Sequence, residues 1–298
     1  MDTLYLTSIS ELKIETKLME RVIIYPTDFS ACAENALPFA IGMAQAMNCK
    51  LVAVHAIDIG GISASEESPA RVLDDIKLLE RKAEQQLRII KDRARKSQIE
   101  CKSEVIKGGR KVSFFSEYLE EADPLMVVMG TIGSGGLENM VMGSLTYKLI
   151  KNTTFPFLAV PEKATFNGLQ KIIFASDYHV KDEDSIRFLV EIAQHFKAAI
   201  EVVHLFEGAV PDKGEQMLFN DFKKYISKRI SYPKTDFKLL HCQNVDERLD
   251  LFLNESKGDL LALVTRKRNF IDHLFHVGIT KKMIYHTHIP LLVFSWSI

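Results

Sequence analysis

The sequence predicts an α/β protein built as two tandem, doubly wound, five-stranded parallel-sheet domains. Three observations carry that expectation. The chain of 298 residues repeats itself: Tyr25–Asp58 aligns without a gap on Phe174–Glu207 at a constant offset of 149, as from Asp28 to Asp177. Identities fall at Asp28/Asp177, Glu34/Glu183, Phe39/Phe188, Ala44/Ala193, Gln45/Gln194, Val54/Val203 and His55/His204. Within each copy, short apolar runs alternate with segments of helical period, which implies right-handed βαβ crossovers and a sheet covered on both faces. The second run of the first copy, LVAVHAI, is nearly continuous rather than alternating, as a strand buried on both faces requires.

Taken in order, RVIIY (Arg21–Tyr25) is the first strand, a turn bearing Asp28 follows, and a helix leads to LVAVHAI as the second strand. In Pro69–Ser97 the apolar residues Val72, Ile76, Leu79, Ala83, Leu87, Ile90 and Ala94 recur at steps of three and four, so one face of a long helix should lie on the sheet. CKSEVIKG contains strand three, FFSEYLEEA a helix, LMVVMG strand four, SLTYKLIKN a helix from Ser144, and FPFLAVP strand five. The second copy repeats the plan, with KIIFA, DLLALVT and IPLLVFSW as its first, fourth and fifth strands. Its shorter distance from Asp177 to strand four places the missing length in the loop and long helix after strand two. The polar stretch PEKATFNGLQ divides the chain into residues 1–163, with 1–20 as an N-terminal extension, and residues 164–298.

Composition narrows the function. Thirty-eight basic and thirty-nine acidic side chains leave a net charge of -1, so no global field recruits nucleic acid or an anionic membrane. Four cysteines without CxxC spacing suit a reducing compartment, and the N-terminal twenty residues carry acids and no sustained apolar core, so a cytoplasmic address is expected. The pairs His273/His276 and His286/His288 have HxxH and HxH spacing, but such spacings match zinc sites loosely, so a metal site is not expected. His55 and His204, at equal positions in both copies, read as half-buried, hydrogen-bonded side chains with a structural role.

In a parallel α/β sheet, ligands lie outside the carboxyl ends of the strands. Strand four ends at Met129 and Gly130, and glycines recur at 133, 135, 136 and 143, with Ser144 after the last. Gly143 and Ser144 open a helix, whose unpaired N–H groups and partial positive charge suit a phosphate. Glycines at 130 and 133 permit close backbone approach. A turn followed by a serine N-cap would leave the same trace, and neither a P-loop nor GxGxxG is present.

The spacing Gly130, Gly133, nine residues, Gly143-Ser144, together with YPTDFS (Tyr25–Ser30) after strand one and VHAID (Val54–Asp58) at the end of strand two, resembles the universal stress proteins. The resemblance spans both copies and implies a Rossmann-like fold and a stress-response function. It implies ATP or another adenine nucleotide, with or without magnesium, as a regulatory ligand of the N-terminal domain only. Asp28 would accept from ribose hydroxyls beside the Gly130 backbone; Pro26, Thr27, Ala56 and Met129 would line the adenine; Gly133, Gly143, Ser144 and the Leu145 amide would hold the phosphates. Asp28 can also be read as an Asx turn or helix cap.

At the aligned positions the second copy reads Thr265, Arg268, Gly278 and Ile279, so nucleotide binding there is not expected. The basic run TRKR could take a lone anion or stand as a solvated loop. No nucleophile–base pair accompanies the motif, so an enzyme is not expected, although slow hydrolysis stays open. The resemblance further implies that the two domains pair through their fifth strands; homodimerisation of the chain and an unidentified protein partner stay open. The alternative function is a protein-interaction module with no nucleotide in either domain.

Overall fold

The structure, a computed structural model, describes residues 21–60, 69–109, 111–131, 144–152, 154–207, 213–242, 245–265 and 289–295. Ten strands form one sheet. In chain order they are β1 (Val22–Pro26), β2 (Lys50–Asp58), β3 (Cys101–Gly108), β4 (Met126–Gly130), β5 (Phe157–Val160), β6 (Lys171–Ala175), β7 (Ala199–Glu207), β8 (Thr235–Cys242), β9 (Leu260–Val264) and β10 (Leu291–Phe294). The helices are α1 (Ala31–Ala46), α2 (Pro69–Lys96), α3 (Lys111–Ala122), α4 (Ser144–Asn152), α5 (Asp182–Phe196), α6 (Lys213–Arg229) and α7 (Val245–Ser256).

The strand order is β3-β2-β1-β4-β5-β10-β9-β6-β7-β8, so the two halves are mirror-ordered copies of one plan. Within each half every pairing is parallel. The expected pairing of the fifth strands is present: β5 and β10 run antiparallel, with Leu292 opposite Leu158. Both strands are buried along their whole length, so this junction covers two apolar edges that would otherwise template aggregation.

Burial follows the pleat. Ile23 and Tyr25 of β1 face one apolar layer and Ile24 the opposite one, because successive side chains leave a strand on opposite faces. That double covering is the physical reason the strands read as continuous apolar runs.

The second half is shorter where expected, since α2 has 28 residues and α6 has 17. The apolar stripe of α2, however, is only partly spent on the sheet. Ala83, Leu87, Ile90 and Ala94 are buried, whereas Val72 and Ile76 are half-buried and Leu79 is exposed. A helix of that length spans about 42 Å, and β2 with its nine residues spans only about 30 Å. Lys107, next to the end of β3, pairs with Glu80, so the first turns of α2 pass beyond the strand ends.

The connection between halves is anchored. Asn35 donates to the carbonyls of Pro161 (3.0 Å) and Ala164 (2.7 Å). The Phe166 ring lies between Phe39 and Phe196, at centroid distances of 4.9 and 5.9 Å. A Cβ on Gly42 would come within 2.2 Å of that ring, so α1 passes Phe166 at a distance only glycine allows.

Candidate functional site

In each half the chain adds β2 and β3 on one side of β1, then crosses back to add β4 and β5 on the other. The crossovers therefore diverge between β1 and β4, leaving a crevice at their carboxyl ends. Residues that end these two strands meet there.

On the β1 side, the loop into α1 is held by its own side chains. Thr27 is buried, and its N–H donates to the Val54 carbonyl at 2.9 Å. Its carbonyl accepts from His55 Nδ1 at 2.8 Å. Thr27 Oγ1 accepts the Phe29 N–H, and Asp28 Oδ1 accepts the Ser30 N–H, both at 3.1 Å. Phe29 adopts φ 61°, which costs a side-chain-bearing residue about 1–2 kcal/mol; its ring stacks on His55 at 4.5 Å, which helps hold that conformation. Ser30 then caps α1 by accepting the Ala33 N–H. Asp28 does form the Asx turn, but an ionised carboxylate has about four acceptor positions, so the turn and a ligand hydroxyl are compatible.

On the β4 side, Gly130 is a close-packed glycine. A Cβ there would lie 2.8 Å from the Cys32 carbonyl oxygen and 2.9 Å from its carbon, both backbone atoms that cannot swing away. Only glycine lets the end of β4 approach the first turn of α1 so closely. Thr146 Oγ1 donates to the Gly130 carbonyl at 3.1 Å and ties the first turn of α4 to the end of β4. The Ser144 and Leu145 backbone is thereby carried to the crevice. Ala56, Met129 and Leu145, from β2, β4 and α4, are partly buried against the same apolar layer.

The structure thus brings Pro26, Thr27, Asp28, Ala56, Met129, Gly130, Ser144 and Leu145 to one edge of the sheet. Gly133 and Gly143 lie outside the described residues, as do Arg268, Gly278, Ile279, His273, His276, His286, His288 and residues 1–20. Cys32, Thr131 and Thr146 escaped the sequence reading. A signal existed for Thr131, since threonine also follows strand four in the second copy.

The second half shows what the first requires. Ile172 pairs with Leu260 where Ile23 pairs with Met126, and Thr265 donates to the Phe294 carbonyl where Thr131 donates to that of Val160. The counterpart of Gly130 is therefore Val264, not Thr265, a correction of one residue. The repeat is gapless only through strand two; the deletion in the following helix separates that anchor from strand four, so motif spacing alone could not set the register. α5 begins at Asp182, whereas the counterpart of the first residue of α1 is Val180, and Val264 packs against the core.

The loop motif itself persists. Ser176 replaces Thr27 and its carbonyl accepts from His204 Nδ1 at 2.7 Å, while Tyr178, at φ 64°, stacks on His204 at 3.9 Å. His55 and His204 thus hold equivalent turns in both halves, and His204 Nε2 also lies 3.3 Å from Glu215. One substitution changes the electrostatics. At the position of Ala33 stands Asp182, fully buried, accepting from Ser176 Oγ at 2.5 Å. Burial pushes its carboxyl up to about 6.

Among the described residues no group of three or more His, Cys, Asp or Glu could hold a metal ion, and no helix is long and apolar enough to cross a membrane.

Comparison with known proteins agrees with this fold. Residues 19–161 match the universal stress protein family. A universal stress protein of Methanocaldococcus jannaschii is 27% identical over 139 residues, covering 46% of this chain and 80% of the relative. The crystal structure of a universal stress protein from Archaeoglobus fulgidus superposes with a TM-score of 0.71 at 12% identity, over 92% of this chain and 98% of that one. A putative universal stress protein from Pseudomonas aeruginosa gives 0.61 at 11% identity, over 93% of each. These two likenesses cover both halves and concern the fold.

Proposed function

Residues 19–161 of this chain belong to the universal stress protein family, and from that premise we propose a stress-response protein whose N-terminal half binds ATP or a related adenine nucleotide as a regulatory ligand. The observation that carries this reading is Gly130: its Cβ position is taken by the Cys32 backbone, and its carbonyl anchors the first turn of α4. Such tight closure of β4, α1 and α4 holds the backbone at the start of α4 beside the end of β4, a placement that suits recognition of an anionic ligand at a helix N-terminus.

In this reading Asp28 accepts from the ribose hydroxyls. Pro26, Thr27, Ala56 and Met129 form the wall for the adenine, and the backbone of Gly133, Gly143, Ser144 and Leu145 carries the phosphates, with or without magnesium. The division at residues 163/164 makes the C-terminal half a degenerate copy. Val264 puts a branched side chain where the first half has none, and a buried carboxyl, Asp182, stands where the first half has Ala33. Nucleotide binding is accordingly assigned to the N-terminal half alone, and the ligand is a state signal rather than a substrate.

The test is calorimetric titration of the stripped protein with ATP, alongside mass spectrometry of the supernatant after denaturation. Asp28→Ala and Gly130→Ala should each weaken binding about ten-fold or more, and Asp177→Ala should leave it unchanged. Neither released nucleotide nor binding at millimolar ATP would reject the reading. Equal losses from Asp28→Ala and Asp177→Ala would reject its asymmetry, and phosphate release faster than a buffer blank would make the ligand a substrate.

A further inference from the structure

We propose that Phe29 and His55 are positioning residues for the ribose: their stacked rings lock the turn that holds the Asp28 carboxylate in its binding orientation. This role rests on the nucleotide reading above, and neither ring needs to touch the ligand.

Among the described residues, seven that bear side chains have positive φ. Asn48, Gln98, Asp123, Lys197 and Lys257 follow the ends of α1, α2, α3, α5 and α7, where a left-handed residue commonly closes a helix. Phe29 and Tyr178 are the two that precede helices, at φ 61° and 64°. A bulky aromatic residue is a poor choice for that conformation, which glycine adopts freely. What glycine could not supply is the ring, and that of Phe29 lies on His55 at a centroid distance of 4.5 Å and an interplanar angle of 21°. Backbone strain held in this way clusters at binding sites.

The stack acts on Asp28 through the backbone on either side of it. The Thr27 N–H donates to the Val54 carbonyl and the Thr27 carbonyl accepts from His55 Nδ1, so residue 27 is pinned twice to β2. The Phe29 N–H returns to Thr27 Oγ1, which closes the turn around residue 28. Asp28 therefore departs from a fixed backbone, and its Oδ1 is held by the Ser30 N–H. The carboxylate keeps one orientation before a ligand arrives, and pre-organisation of that kind raises affinity without adding a contact. The second half repeats the clamp, with Tyr178 on His204 at 3.9 Å and His204 Nδ1 donating to the Ser176 carbonyl. There, however, Val264 stands in the place of Gly130, and Asp177 is exposed whereas Asp28 is half-buried. The second clamp is thus a matched control for the first.

Calorimetric titration of the full chain with ATP, and hydrogen exchange of the ligand-free chain, test this. Phe29→Gly removes the ring and the strain together, so the circular dichroism spectrum should be unchanged. Its ATP affinity should nevertheless fall about five-fold or more, and the Ser30 amide should exchange faster. On an Asp28→Ala background the same change should cost no further affinity, because it acts through that carboxylate. His55→Ala should weaken binding as Phe29→Gly does, and His55→Asn, which keeps an N–H donor near the place of Nδ1, should weaken it less. Tyr178→Gly, the matched change in the second half, should leave ATP affinity unaltered. An unchanged Ser30 exchange rate in Phe29→Gly overturns the positioning role whether or not ATP binds. Where the unaltered chain binds ATP, four results overturn that role and leave the nucleotide reading standing: equal affinity in Phe29→Gly, a further loss on the Asp28→Ala background, no recovery in His55→Asn, or an equal loss from Tyr178→Gly. No binding by the unaltered chain at millimolar ATP overturns both.

Discussion

Asp182 is a carboxyl group buried where the first copy has alanine, and its folded-state value of about 6 stands above the ordinary 3.8 because burial penalises the charge. The native state therefore binds more protons than the unfolded chain between pH 3.8 and about 6, and this group's contribution to stability falls as pH rises through that window. A shift of that size corresponds to a cost on the order of 3 kcal/mol once the group is ionised in the fold. Asp182→Asn keeps an acceptor for Ser176 Oγ without the charge. It should be the more stable protein at pH 7 by about 1 kcal/mol or more, and the difference should shrink toward zero below pH 4, as read by urea unfolding across pH. A constant difference would show that Asp182 does not titrate as its burial requires. The same scale explains the glycines: Gly130 and Gly42 are each fixed by one neighbour, the Cys32 backbone and the Phe166 ring, and neither neighbour is adjacent in sequence.

Among elements, the contrast between α1 and α5 shows how one repeat unit takes two forms. α1 is capped by Ser30, whose Oγ accepts the Ala33 N–H. α5 begins without a side-chain cap, and Asp182, Glu183 and Asp184 in its first turn face the positive end of the helix dipole instead. Ser30→Ala should destabilise the protein by about 1 kcal/mol and weaken the nucleotide binding proposed above, because the capped turn also presents Cys32 to Gly130. Lys181→Ala, at the uncapped start of α5, should change stability far less. Similar losses from both substitutions in denaturant titrations would refute that distinction. The order of strands and helices was legible at this scale because apolar period and turn residues are local properties. The fate of the Val72–Leu79 stripe was not, since its period is the same whether or not a sheet lies beneath it.

Across the whole molecule, two halves share one ten-stranded sheet through the β5–β10 junction. The inter-half pair Arg21–Glu191, at 2.7 Å, is exposed and adds little. Phe166 contributes more, because its ring fills the space between α1 and α5. Phe166→Ala should cost about 2–3 kcal/mol, and in calorimetry it should broaden or divide the unfolding transition as the halves uncouple. An unchanged melting profile would show that strand pairing alone holds the halves together.

By itself, the sequence determined the duplication, the α/β alternation, the turn bearing Asp28 and the glycine at the end of strand four, because each is written in contiguous residues or in a gapless repeat. It also carried the expectation that the fifth strands would pair, through a family resemblance. Only the tertiary structure decided that Val264 rather than Thr265 stands in the place of Gly130, that Cys32 makes a glycine necessary there, that Thr146 carries α4 to the crevice, and that α2 outruns its sheet. Each of these depends on which distant residue a strand or helix lies against, and that register is set by packing between segments far apart in the chain.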